Sequence, residues 1–279
     1  MKTFRDSTVL ITGGSSGIGL ALAHVLIQQG ARVAIIGTDA NKLARAAVSL
    51  GCDGTTLATA QLDVSDERAW PAVVARLETQ LGPIDSVFLN AGVGTGSTPI
   101  ESGPSSIWRW IWEVNVLGTV YGLRCCLPGM KSRGHPGHIL ITSSIAALVT
   151  PPGLGPYSAS KAALLALAET LRAELAGTSL GVSVLIPAAV RTDFSATSAR
   201  LAPTDFKDEH AAQVFDKIDE MLQQGLPPLD VANFVMARIS AGAFYICTHP
   251  DFRERIAAGQ SQLLEAIPTD TALQVNSRA

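Results

Sequence analysis

Residues 8–19, TVLITGGSSGIG, decide the fold. Thr8 to Thr12 is short, apolar and β-branched, the make-up of a strand buried on both faces, and it runs straight into glycines. Gly13, Gly17 and Gly19 then lead into an apolar-periodic run ending near Gly30, so the stretch reads as strand, tight turn and helix. Glycine at such a turn supplies positive φ and removes the Cβ that would keep an anion off the backbone. The helix beginning near Gly17 aims its unpaired N–H groups and positive dipole end at that anion, which suits a pyrophosphate.

Outward from this turn the pattern repeats. Arg32 to Ile36 reads as a second strand, Asn41 to Leu50 as a helix, Thr55 to Gln61 as a third strand and about Asp66 to Leu81 as a helix. Ser86 to Asn90, His138 to Ser143 and Gly181 to Ile186 are the next strands, separated by helices over about Ser106 to Met130 and Tyr157 to Ala176. Alternation of continuous apolar strands with helices predicts an α/β fold, a doubly wound parallel sheet of Rossmann type in one domain over residues 1–279. In such sheets ligands bind at the carboxyl ends of the strands. Thr12-Gly13-Gly14, Asp63-Val64, Asn90-Ala91-Gly92 and Ser143-Ser144 stand at those ends and should converge on one crevice.

After Ile186 the pattern loosens. Residues 188–228 read as a substrate-binding lid rather than a second domain, being too short and too poor in apolar residues for their own core. A helix over Asp230 to Ser240 and a last strand over Ala243 to Thr248 return to the sheet, and residues 268–279 read as a frayed tail.

Composition narrows the function classes. Apolar residues make up 47% of the 279 and charged ones 16%, which suits a packed globular chain and not a disordered one. With a formal net charge of −3 and no long Lys/Arg run, nothing points to nucleic acid. The N-terminus carries neither a secretory signal nor a span of about 20 apolar residues, so the reading is no membrane role and a cytoplasmic location. Cys52, Cys125, Cys126 and Cys247 lack zinc-ligand spacing, as do His24, His135, His138 and His210, so no metal is expected. His249, beside Pro250, reads as structural.

Tyr157 and Lys161 lie one helical turn apart and leave the same face of their helix. A phenol is a poor base near neutrality, and a nearby ammonium favours phenolate, so Lys161 is expected to lower the Tyr157 pKa. Ser144 sits at a strand end, across the Pro/Gly-rich loop Pro151, Pro152, Gly153, Gly155 and Pro156, which lets the chain double back and bring the hydroxyl to the phenol. Neighbouring Ser143 is expected to make only a backbone or loop bond. Asn115 places an amide inside an apolar helix, where it needs a partner.

Thr12-Gly13-x-x-x-Gly17-Ile18-Gly19, Asn90-Ala91-Gly92, Asn115, Ser144 and Tyr157-Ser-Ala-Ser-Lys161, in this order and spacing, resemble the short-chain dehydrogenase/reductase family. The resemblance implies catalysis by Asn115, Ser144, Tyr157 and Lys161, with Ser144 bonding the substrate oxygen. Asn115 would hold a water beside the lysine in a proton relay that runs from Tyr157 through the ribose hydroxyls. It implies a dinucleotide held by Gly13, Ser15, Ser16, Gly17, Ile18, Gly19, Thr38, Asp63, Val64, Asn90, Ala91, Gly92, Tyr157 and Lys161. Pro187, Val190 and Thr192 would anchor the nicotinamide. The family usually has Pro-Gly where this chain has Pro187-Ala188, and it lacks the frequent Val-Asp-Gly-Gly ending.

The expected reaction moves a hydride between NAD or NADP and a secondary alcohol or ketone, with Tyr157 as general acid/base. Gly37 stands where NAD-selective relatives carry Asp, and Thr38 where NADP-selective ones often carry Arg. Asp39 disfavours a phosphate if it turns inward, so the balance leans to NAD. Leu148, Val149, Leu154 and the segment from about Phe194 to Leu226 point to a bulky apolar substrate, unless Arg191, Arg200 or Lys207 faces the pocket. Two alternatives share these motifs: an NAD-dependent epimerase or dehydratase, and a dinucleotide-sensing protein without catalysis. The resemblance also implies a homodimer or homotetramer.

Overall fold

The computed structural model describes residues 4–51, 54–207 and 209–268. Cys52, and the tail from Thr269 on, lie outside the described residues. Among the described residues seven strands form one sheet, all parallel: β1 (Thr8–Thr12), β2 (Arg32–Gly37), β3 (Leu57–Gln61), β4 (Ser86–Leu89), β5 (Gly137–Thr142), β6 (Leu180–Ile186) and β7 (Tyr245–Cys247). Their order is β3-β2-β1-β4-β5-β6-β7, which places the reversal of winding between β1 and β4, beside the glycine turn. Alternate residues of β1 serve opposite cores. Leu10 packs with Trp70, Leu77, Leu123 and Leu164 on one face, while Val9 and Ile11 pack with Leu22, Leu26, Val235 and Met236 on the other. A strand covered on both faces has no solvent side, which is why Val9 to Ile11 is a continuous apolar run between two buried threonines.

The helices are α1 (Gly17–Gln28), α2 (Ala40–Leu50), α3 (Trp70–Leu81), α4 (Ser105–Ile111), α5 (Gly118–Arg133), α6 (Gly155–Glu174), α7 (Phe194–Leu201), α8 (Glu209–Gln223), α9 (Pro228–Ser240) and α10 (Arg253–Glu265). Helix α3 begins later than the apolar pattern suggests. Asp66 accepts from the Arg68 and Ala69 N–H groups in a turn, and Pro71 in the first helical turn needs no hydrogen-bond partner for its nitrogen. The long helix expected from Ser106 to Met130 is interrupted: Trp112–Leu117 form a π turn between α4 and α5. Thr55 and Thr56 precede β3 rather than opening it.

The segment 188–228, where the sequence pattern is loose, holds regular structure. Helices α7 and α8, with a 3-10 turn at Thr204–Phe206, put Ala202, Phe206, Ala211 and Phe215 into a small cluster with Val93, Ile107 and Ile111. Its core is therefore borrowed from α4. The last strand is shorter than Ala243 to Thr248. It pairs with β6 only as far as Ile186↔Cys247, and the next residue on that side, Pro187, has no N–H to carry the ladder on. Helix α10 was not foreseen and none of its residues is buried. Among the described residues, no helix is long and apolar enough to cross a membrane.

Candidate active site

The glycine turn has the conformation its sequence demands. Gly13 and Gly17 have φ of 65° and 54°. A Cβ on Gly19 would lie 2.4 Å from the Gly13 carbonyl oxygen, so the third glycine lets α1 start hard against the turn. Ser16 makes no side-chain cap bond, which leaves the first N–H groups of α1 for an anion. This cradle fits a dinucleotide pyrophosphate. Thr192 closes over it: a Cβ on Gly17 would meet the Thr192 methyl at 2.8 Å, and Ser15 Oγ lies beside Gly37.

A hydroxyl that the sequence reading did not single out ties the strand ends together. Thr12 Oγ1 accepts from the N–H groups of Asn90 and Ala91, both at 2.8 Å, while Asn90 Nδ2 donates to Thr12 O at 3.2 Å. Thr142 Oγ1 donates to Asn90 Oδ1 at 3.3 Å, so β1, β4 and β5 are clipped side by side at their carboxyl ends. The polar end of Asn90 is thus committed to the sheet. Asp63 is likewise engaged: its carboxylate accepts from Ser65 N and Oγ, while Val64 packs against Gly118.

Asn115 lies in the π turn and is wholly buried. Its Oδ1 accepts from Val93 N at 2.8 Å, and its Nδ2 donates to Val93 O and to Ser160 Oγ, both at 3.0 Å. Both amide protons are spent on protein, so the side-chain N–H groups are not donors to a water beside the lysine. Ser160, a second residue the reading passed over, also donates from Oγ to Tyr157 O at 2.7 Å. The π turn and α6 are thereby locked together at the residue before Lys161. A polar residue in an apolar helix was the available signal for Asn115, but it said nothing of the π geometry.

Lys161 is buried, with Nζ donating to Thr142 O at 3.0 Å and lying 5.7 Å from the centre of the Tyr157 ring. Burial brings its pKa down to about 8. Gly92 leaves room here, because a Cβ would come within 3.1 Å of Lys161 Nζ. Ser143 Oγ donates to Lys161 O at 2.7 Å, the backbone bond expected of it. Ser144 caps a 3-10 turn, Ile145–Ala147, through Ala146 N, and its hydroxyl acts on the Tyr157 phenol. The expected lowering of the phenol pKa by Lys161 is not the outcome. Burial pushes Tyr157 above its ordinary value, and the bond with Ser144 is what opposes it.

On the open side, Phe194 from the lid sits 6.0 Å from the Tyr157 ring, centre to centre, and packs against Gly94. Of the three cations that could have faced this pocket, Arg200 turns to Asp39 at 4.0 Å, Lys207 donates to Arg200 O at 2.9 Å, and Arg191 is exposed. At the ribose end, Thr38 is exposed and its carbonyl accepts from Gln61. Asp39 caps α2 through Lys42 N at 3.0 Å, and that bond, ahead of the nearby Arg200 and Arg45, holds its carboxyl below the usual range. The acidic group whose inward turn would have favoured NAD is thus spent on the helix.

A doubly wound parallel sheet with a glycine turn after its first strand defines the Rossmann-type dinucleotide-binding class. Residues 7–202 match the family model described as short chain dehydrogenase, and the chain belongs to this family of oxidoreductases. It is 30% identical over 270 residues to a C alpha-dehydrogenase of Sphingobium sp. strain SYK-6, covering 96% of this chain and 88% of that one. It is 35% identical over 257 residues to a 1-deoxy-11-beta-hydroxypentalenate dehydrogenase of Streptomyces exfoliatus, covering 90% and 86%. A solved short chain dehydrogenase/reductase from Burkholderia phymatum in complex with NAD superposes with a TM-score of 0.88 at 31% identity, covering 97% of this chain and 99% of that one.

Proposed function

We propose that this chain interconverts a bulky, apolar secondary alcohol and its ketone, with Tyr157 as general acid/base and NAD or NADP as hydride carrier. One observation carries the reading: the buried Lys161 ammonium lies 5.7 Å from the centre of the Tyr157 ring, one helical turn away on the same face of α6. A bound nicotinamide dinucleotide supplies or takes the hydride. Tyr157 holds the proton: the phenol gives it to the carbonyl oxygen in reduction, and the phenolate takes it from the hydroxyl in oxidation. Ser144 donates to the same substrate oxygen as charge develops there. Lys161, near pKa 8, exchanges a proton with the ribose side of the site close to neutrality.

The phosphates rest on Gly13, Ser15, Ser16, Gly17, Ile18 and Gly19, with Asp63, Val64, Ala91 and Gly92 lining the adenosine and ribose path, and Pro187, Val190 and Thr192 at the nicotinamide. NAD is the preferred cofactor in this reading, on the lack of a guanidinium at Thr38; Asp39, committed to Lys42, gives it less support than the sequence alone did. Residues 188–228 act as the lid. Phe194 and the turning away of Arg200 and Lys207 favour an uncharged substrate. A cytoplasmic homodimer or homotetramer completes the proposal. The test is a panel of secondary alcohols and ketones assayed with both cofactors, on the wild type and on Tyr157→Phe. Turnover of apolar members by the wild type, lost in Tyr157→Phe with cofactor binding kept, is expected. Full activity of Tyr157→Phe would overturn the mechanism.

A further inference from the structure

Where the sheet ladder stops, an imidazole takes its place. Strands β6 and β7 pair as far as Ile186 and Cys247, and Pro187 then has no N–H to offer. Two residues past Cys247, the His249 ring lies against the chain that follows Pro187. Its Nδ1 is 3.2 Å from Ala188 N and its Nε2 is 3.0 Å from Ala189 O. An amide N–H only donates and a carbonyl only accepts, so these two contacts fix the neutral tautomer with its proton on Nε2. The Thr248 hydroxyl, 2.7 Å from Nδ1, then donates to the same nitrogen. The ring thus offers one acceptor and one donor, as a peptide group on a neighbouring strand would.

The other side of this segment is held by the end of the lid. Leu226 N donates to Ala189 O at 3.0 Å, Arg191 N donates to Leu226 O at 2.9 Å, and Val190 and Leu226 form an isolated parallel bridge. A Cβ on Gly225 would lie 2.4 Å from Ala189 C and O, so the lid's end presses directly on the segment. Ala189 O therefore accepts from Leu226 and His249 together. The residue after Arg191 is Thr192, which touches Gly17 in the phosphate turn. A small rotation of the Ala188 or Ala189 peptide would displace Thr192.

We infer that His249 is a positioning residue for the nicotinamide half of the cofactor site: its bonds to Ala188 N and Ala189 O set the main chain that delivers Val190 and Thr192. The inference rests on the reading of Thr192 as part of that half of the site. It is tested by fluorescence titration of the full chain with NADH or NADPH, whichever binds more tightly. ADP-ribose, or its 2′-phosphate, serves as the comparison ligand that lacks nicotinamide. His249→Phe keeps the ring shape without polar atoms, His249→Gln restores a donor at the Nε2 position, and His249→Asn restores an acceptor at the Nδ1 position.

Losing both bonds should weaken the reduced dinucleotide ~10-fold in His249→Phe, with partial recovery to ~3-fold in the Gln and Asn variants. Binding of the ADP-ribose ligand, which meets Thr192 only at the phosphate turn, should weaken less than that of the reduced dinucleotide in all three. Equal weakening of both ligands would make His249 merely structural and overturn the inference, as would an unaltered dinucleotide affinity in His249→Phe. Thr192→Ala separates the two readings. If it leaves the ratio of the two affinities unaltered, the nicotinamide assignment fails and the inference with it; if it changes the ratio while His249→Phe does not, only the role of His249 fails.

Discussion

Lys42 Nζ, in the first turn of α2, lies 3.4 Å from Asp193 Oδ2 and 3.2 Å from Thr197 Oγ1 on the lid. From the same lid helix Arg200 comes within 4.0 Å of Asp39 Oδ2. The two pairs link the ribose end of the site to α7, the helix that follows Thr192. Both involve substantially exposed side chains, so they contribute little to global stability. With residues 188–228 as the proposed lid, these pairs are suited to setting how often it opens. Lys42→Ala should speed dinucleotide release about two- to fivefold, and salt should speed release from the wild type toward the variant's rate. Stopped-flow displacement measures both, and a wild-type rate indifferent to salt would rule the strap out.

With Tyr157 as the proposed acid/base, the upward shift of its phenol should give the two directions of the reaction different pH profiles. Reduction needs the protonated phenol and should run at full rate at neutrality, falling on the alkaline side. Oxidation needs the phenolate and should climb through the alkaline range. Because Ser144 is the group that opposes burial, Ser144→Ala should move the alkaline midpoint upward while lowering kcat. Profiles of kcat in both directions check this; a midpoint that stays in place would remove Ser144 from control of the phenol.

Lys161 is kept at a cost to the fold. A pKa brought from 10.5 to about 8 by burial corresponds to a penalty on the order of 3 kcal/mol for the charged form. Lys161→Met fills similar volume without charge, and it loses the bond to Thr142 O, worth about 1 kcal/mol. The variant should therefore be inactive yet more stable by roughly 1–2 kcal/mol at pH 7. Between pH 8 and 10.5 the unfolded lysine holds a proton that the folded one has lost, so wild-type stability rises across that window. The advantage of Lys161→Met should shrink accordingly from pH 7 to pH 10. Urea unfolding at the two pH values measures it, and an equal advantage at both would contradict burial as the cause.

What could be read from the sequence depended on the range of the forces involved. The strands were legible because burial on both faces forces continuous apolar runs such as Val9 to Ile11. The pairing of Tyr157 with Lys161 followed from helical spacing alone. The Thr12 clip was not legible, since its partners Asn90 and Ala91 become neighbours only when β1 and β4 pair. Asp39 could be read as facing either the ribose or the solvent, and its bond to Lys42 N decided for neither. The contact between Lys42 and Asp193 joins residues 151 positions apart, beyond any local pattern. Helix α10 buries nothing, so it left no apolar periodicity to find.

Asn115 provides the sharpest separation between holding the site together and taking part in its chemistry. Its amide satisfies Val93 N, Val93 O and Ser160 Oγ, and Thr119 Oγ1 donates to its carbonyl at 2.9 Å. Asn115→Ala strands the buried Val93 N and Val93 O and takes a donor from Ser160 Oγ, and should cost about 2–4 kcal/mol of stability. Asn115→Asp keeps the acceptor for Val93 N but sets a carboxylate oxygen against Val93 O, so it too should destabilise. A Cβ on Gly92 would lie 3.1 Å from Lys161 Nζ and 3.3 Å from Asn115 Oδ1, so the new carboxylate would face the ammonium across that glycine. The charge should hold Lys161 protonated and raise its pKa from about 8. The expected signature is therefore a comparable loss in urea midpoint for both variants, with only Asn115→Asp moving the pH profile near 8 to higher pH. If Asn115→Ala moved that profile by the same amount, the shift would come from disruption of the π turn and not from the charge placed beside Lys161.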